Sequence, residues 1–150
     1  MPKSISSITG FVRKVGELTD HYGAGNIMYR GHSDHDYEFV PSVFRRHEWM
    51  QNEEVMLRKL LAVHPGAFQN DLNTFDKLVR AQHYGLPTRL LDVTLNPLAA
   101  LFFACTGNGK KRGQVVAAIP DRDSIKFFDS DTVSCLSNLS YLSFAEKDQI

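Results

Sequence analysis

Residues 81–105, AQHYGLPTRLLDVTLNPLAALFFAC, set polar side chains inside the most apolar stretch of the chain. His83 and Tyr84 stand just before a Gly85–Leu86–Pro87 break, and Thr88 and Arg89 follow it. Asp92, Thr94 and Asn96 then precede an apolar helix body. Each such group costs free energy to desolvate unless it finds a partner. A structural role accounts for each taken alone: Asp92 can pair with Arg89, Thr94 and Asn96 can cap, and His83 can be a satisfied core histidine. Gathered at strand ends and helix starts, they form the pattern by which folds build sites. The N–H groups and partial positive charge at the start of a helix after Asn96 would suit an anion.

A second concentration lies upstream, in YRGHSDHDYEFVPSVFRR from Tyr29 to Arg46. Arg30 ends a short apolar run, and Gly31 lets the backbone turn sharply or approach a ligand. An arginine held there can aim its planar fork at a phosphate or carboxylate. It can equally pair with Asp92 or Asp34 and pin the loop. His32, Asp34, His35 and Asp36 spell HSDHD, but this spacing fits no common zinc pattern, so a polar loop and no metal is expected. Nucleophilic chemistry is poorly served. Ser33 lacks a strand–turn–helix elbow, Cys105 sits in an apolar helix body as a reduced core thiol, and the glycines at 23–25 begin no phosphate cradle.

The elements that must carry these residues follow from periodicity. Ile8, Phe11, Val12, Val15 and Leu18 predict a first helix, and IMYR at 27–30 predicts a strand. Met56, Leu57, Leu60 and Leu61 predict a helix over 48–63 that HPG ends. A further helix begins near Asn73 or Thr74, buries a Phe75, Leu78 and Val79 face, and ends at Gly85. TRLLDV at 88–93 reads as a short strand. Thr94 or Asn96 caps the next helix, with Pro97 in its first turn. GNGKKRG is a basic turn, QVVAAIP a buried strand, and the serine-rich segment near 130–144 a weak helix. The fold class is α+β: several helices on a small mixed sheet of three strands, thin enough to predict that the chain continues past Ile150.

Seventeen basic residues balance seventeen acidic ones, so no global field draws the chain to nucleic acid or an anionic membrane. A local basic rim at Lys110, Lys111 and Arg112 leaves a nucleic-acid or protein partner as the runner-up to a small ligand. Two cysteines and the absence of a long apolar run predict a cytoplasmic protein with no membrane span.

The two motifs together resemble the FRG domain, a bacterial and phage family named for an aromatic–Arg–Gly triplet, here Tyr29, Arg30 and Gly31. The likeness covers about residues 5 to 120, implying a core over 1–120 and the start of a truncated C-terminal extension over 121–150. MYRGHSD and TRLLDVTLNPLAALFFA also resemble the first two motifs of ADP-ribosyltransferases. That likeness implies an incomplete fold of their kind, with NAD or a related nucleotide as ligand. Arg30 would hold the NAD phosphates or ribose, Tyr29 or Tyr84 would stack on nicotinamide, and Thr94 would order the site. The implied cleft is lined by Tyr29, Arg30, Gly31, His32, Tyr84, Thr88, Arg89 and Asn96. Arg30, His83, Asp92 and Thr94 would act on the bond that breaks. ADP-ribose would pass to a macromolecular acceptor or to water, as in a toxin or phage-defence effector. Those enzymes use a glutamate on a late strand, and Glu146 lies outside any predicted strand. Either the acid follows Ile150, Asp92 replaces it, or the domain binds without catalysis.

Overall fold

The computed structural model describes residues 4–107 and 111–150. In chain order its elements are α1 (Ile8–Tyr22), β1 (Met28–His32), α2 (His47–Val63), α3 (Thr74–His83), α4 (Pro97–Cys105), β2 (Gln114–Ala118), α5 (Asp131–Asn138) and α6 (Phe144–Lys147). The class is α+β, as expected. Contacts divide the chain into two compact units, each built from two separated segments. The first joins Met1–Glu38 to Asp92–Ile125, and the second joins Phe39–Leu91 to Lys126–Ile150.

In the first unit, β1 and β2 run antiparallel, with Tyr29 opposite Ala117, Arg30 opposite Val116, and His32 opposite Gln114. Side chains alternate across a strand, so Arg30 and His32 share one face while Tyr29 and Gly31 share the other. Ile27, Tyr29 and Ala100 form the buried centre, with Val15, Leu18, Val115 and Ala117 packed on it. Helix α4 crosses β1 at backbone distance. A Cβ on Gly31 would sit 1.8 Å from the Ala100 carbonyl oxygen and 2.7 Å from the Ala104 nitrogen. Only glycine fits there. The buried stripe of α4 is therefore its small residues, Ala100 and Ala104, while Leu98, Phe102 and Phe103 are exposed. Cys105 is exposed as well, contrary to the core thiol expected. An apolar helix without a polar face gives periodicity nothing with which to choose its buried side.

The expected third strand does not form. Residues 88–93 make no ladder, and only Thr94 bridges Tyr29, through bonds of 2.7 Å and 2.8 Å between their backbones. Leu95 bends and Asn96 caps α4 immediately afterwards, so the chain turns away after one residue pair. The sheet is thus antiparallel rather than mixed. Strand β2 is half-buried along its length, not the buried strand predicted, since a two-stranded sheet covers less of itself.

In the second unit, Leu57, Phe68, Leu78 and Ala81 form the core, with Leu60, Leu61, Leu86, Leu90 and Tyr141 around it. Asn73 caps α3 by accepting the Asp76 N–H at 2.9 Å. Gly85, at φ 82°, takes the left-handed turn that follows that helix. Glu53, 4% exposed at its side chain, lies inside this unit between Arg89 and Lys147. Among the described residues no helix is long and apolar enough to cross a membrane.

Gly31→Ala is expected to destabilise the chain by about 3 kcal/mol or more, because backbone rather than a flexible side chain must move. Urea unfolding measures it, and a loss within the error of wild type would contradict the close crossing. By the same measurement Glu53→Ala is expected to cost about 3–5 kcal/mol, since it strands two cations that share one buried carboxylate.

Candidate functional site

The first unit fixes Arg30 from both directions. The Tyr29–Thr94 bridge brings the Asp92–Asn96 segment alongside β1, and Arg30 Nη1 donates to the backbone carbonyl of Asp92. Its Nε donates to His32 Nε2 at 3.2 Å, a contact that the shared face of β1 makes available. His32 is 4% exposed, and the bond requires Nε2 to be the lone-pair nitrogen of the ring. The Gln114 side-chain amide lies 3.2 Å from His32 Nδ1 and 3.1 Å from the Tyr37 carbonyl oxygen, to which it donates. The Tyr37 ring meets His32 edge-on at 6.3 Å between centroids. The result is a half-buried guanidinium with little rotational freedom.

Thr94 accepts the Asn96 N–H on its hydroxyl at 3.0 Å, and Asn96 accepts from Leu98 and Ala99 at 2.9 Å and 3.4 Å. The α4 N–H groups expected to await an anion are therefore engaged by Asn96 itself. Tyr29, Arg30, Gly31, His32, Asp92, Thr94 and Asn96 are all in this unit. Gln114 and Tyr37 join them unforeseen. Their signal is the antiparallel register, which no local pattern carries.

The loop after β1 is held by charge. Lys111 donates to the Asp34 carboxylate and lies 3.8 Å from Asp36, so this part of the basic rim is internally neutralised. Lys110 lies outside the described residues. The Lys111 hydrogen bond holds the Asp34 carboxyl below the ordinary aspartate range against the opposing effect of burial, and raises Lys111 in return. Ligand atoms of Asp34, His35 and Asp36 fall within 4.8 Å of one another, with Lys111 already on the first of them.

Four other residues singled out by the sequence belong to the second unit. Thr88 is buried, donates its hydroxyl to Gln82 Oε1 at 2.7 Å and donates its backbone N–H to Ser42 Oγ at 3.1 Å. Arg89 pairs with Glu53, at 2.9 Å from Nε and 2.6 Å from Nη2, rather than with Asp92. Both are committed to holding the unit together. His83 is exposed, not a core histidine, and Tyr84 stacks parallel on His64 at 6.0 Å.

A family model described as FRG domain matches residues 25–113, a span from just before β1 to the threshold of β2. No curated protein and no solved structure matches the chain.

The Asp34–Lys111 strap sets a pH dependence. A depressed carboxyl pKa contributes stability above its unfolded value, near pH ~4, and loses it as pH falls through the folded one. The raised Lys111 loses its share only above the ordinary lysine range, near pH ~10.4. Urea unfolding of wild type and Lys111→Met is expected to differ near neutrality and converge at acid pH. Curves that stay parallel down to about pH 2 would contradict the strap.

Proposed function

The chain belongs to the FRG-domain family, and from that premise we propose that its first unit is a nucleotide-binding module for NAD or a related dinucleotide. The observation that carries this reading is the Arg30 guanidinium, clamped by His32 and the Asp92 carbonyl and half-buried beside the Thr94–Asn96 turn. A cation held in one orientation forms charge-assisted bonds to a phosphate with little further loss of side-chain entropy. Tyr37, exposed and edge-on to His32, offers the aromatic surface a base or nicotinamide would contact in this unit.

The reaction such a ligand undergoes is ADP-ribosyl transfer. The bond between ribose C1′ and the nicotinamide nitrogen breaks, nicotinamide leaves with the electron pair, and a nucleophile of a macromolecular acceptor or water bonds to C1′ and releases its proton to solvent. The oxocarbenium-like charge that develops needs a carboxylate. Asp92 is exposed, and its backbone is hydrogen-bonded to the anchoring arginine, which makes it the residue for that role. Thr94 orders the turn by receiving the Asn96 N–H and is a positioning residue.

Calorimetric titration of NAD into the chain tests the binding step. Wild type is expected to bind, and Arg30→Ala to weaken binding about tenfold or more, the worth of a lost charge-assisted bond. No binding by wild type, or equal binding by a folded Arg30→Ala, removes the reading. Nicotinamide release then tests the reaction: Asp92→Asn is expected to abolish it while leaving NAD affinity within about threefold.

A further inference from the structure

The second unit carries a hollow of about 650 Å³ beside α3 that the nucleotide reading does not use. Asp71, Phe75, Asp76, Arg80, His83 and Tyr84 are among the residues that line it. Part of the lining is aromatic. Tyr84 stacks on His64 at 6.0 Å with planes 2° apart and meets Phe68 at 6.0 Å, yet stays 56% exposed. Two rings thus hold a third in place while leaving much of it open to a ligand.

Another part is ionic, and its charges do not cancel. Arg80 donates Nε and Nη2 to the Asp71 carboxylate at 2.8 Å to 2.9 Å, and Asp71 is 4% exposed at its side chain. That pair is neutral as a unit. Asp76 lines the same hollow, and after the Asp71 hydrogen bonds its charge helps to raise the Arg80 pKa through space. Among the described residues its carboxylate forms no hydrogen bond or close ion pair, so the hollow keeps one acidic charge more than Arg80 and Asp71 cancel. An anion entering here would meet Asp76 and an arginine whose charge Asp71 already offsets. A cation with a flat face would find a fixed ring to stack on and a carboxylate to bond.

We propose that this hollow binds a guanidinium group, presented by an arginine side chain of a peptide partner, with its plane on Tyr84 and its N–H groups on Asp76. The site lies wholly in the second unit and does not depend on nucleotide binding by the first.

Titration of Nα-acetyl-arginine amide into the full chain, followed by amide resonances of residues 70–84, tests it. The uncharged isostere Nα-acetyl-citrulline amide and AMP serve as comparison ligands. Arginine amide is expected to shift those resonances saturably, with citrulline amide and the Asp76→Asn variant each weaker by about tenfold or more. Tyr84→Leu is expected to weaken the arginine derivative by a smaller factor. Equal affinity for citrulline, preference for AMP, or no saturable shift overturns the proposal. The citrulline comparison uses wild type alone, so it decides even where a variant fails to fold. NAD is expected to leave these resonances unmoved, which keeps the two sites separable.

Discussion

The hydrogen bond from Arg30 Nε to His32 Nε2 is the constraint on which the first unit's chemistry rests. An exposed arginine samples many rotamers, and ordering it on binding consumes affinity. Here the ordering is accomplished by folding. The alternation of β1 sets both side chains on one face, burial of His32 holds the acceptor still, and the Asp92 carbonyl takes a second donor. Because Nε2 must accept, a neutral imidazole carries its proton on Nδ1, so the Gln114 amide nitrogen 3.2 Å from Nδ1 packs against the ring and donates instead to the Tyr37 carbonyl. A protonated ring would oppose one donor with another and one cation with another.

That clamp depends in turn on how closely α4 can approach β1. Gly31 sits between the two clamped side chains in sequence but on the opposite face, where the Ala100 carbonyl leaves no room for a Cβ. The Arg-Gly pair of the motif thus joins two requirements at adjacent positions: a side chain for one face and none for the other. The bridge from Tyr29 to Thr94 closes the arrangement by holding Asp92 where its carbonyl can receive Arg30.

Much of this was readable in the residues, and the losses have physical causes. Helices α1, α2 and α3 show their apolar spacing openly, and Asn96-Pro97 announces α4 because a cap and a first-turn proline act locally. Strand β1 was legible by composition, but its neighbours were not. TRLLDV has the residues of a strand, yet only Thr94 finds a backbone partner before the chain turns into α4. The partner of Arg89 is Glu53, 36 residues earlier, and Gln114, whose amide nitrogen packs 3.2 Å from His32 Nδ1, is 82 residues later. Pairings of that kind are decided by tertiary register, which short-range spacing does not encode. The same holds for Cys105, whose exposure follows from α4 turning its alanines inward.

The clamp itself can be observed directly in a uniformly ¹⁵N-labelled chain by scalar coupling across the Arg30 Nε–H···Nε2 His32 hydrogen bond. The structure predicts a solvent-protected Arg30 Nε–H resonance coupled to an unprotonated His32 Nε2 at neutral pH. An Arg30 Nε–H that exchanges like a surface arginine, or a proton resident on His32 Nε2, would contradict it.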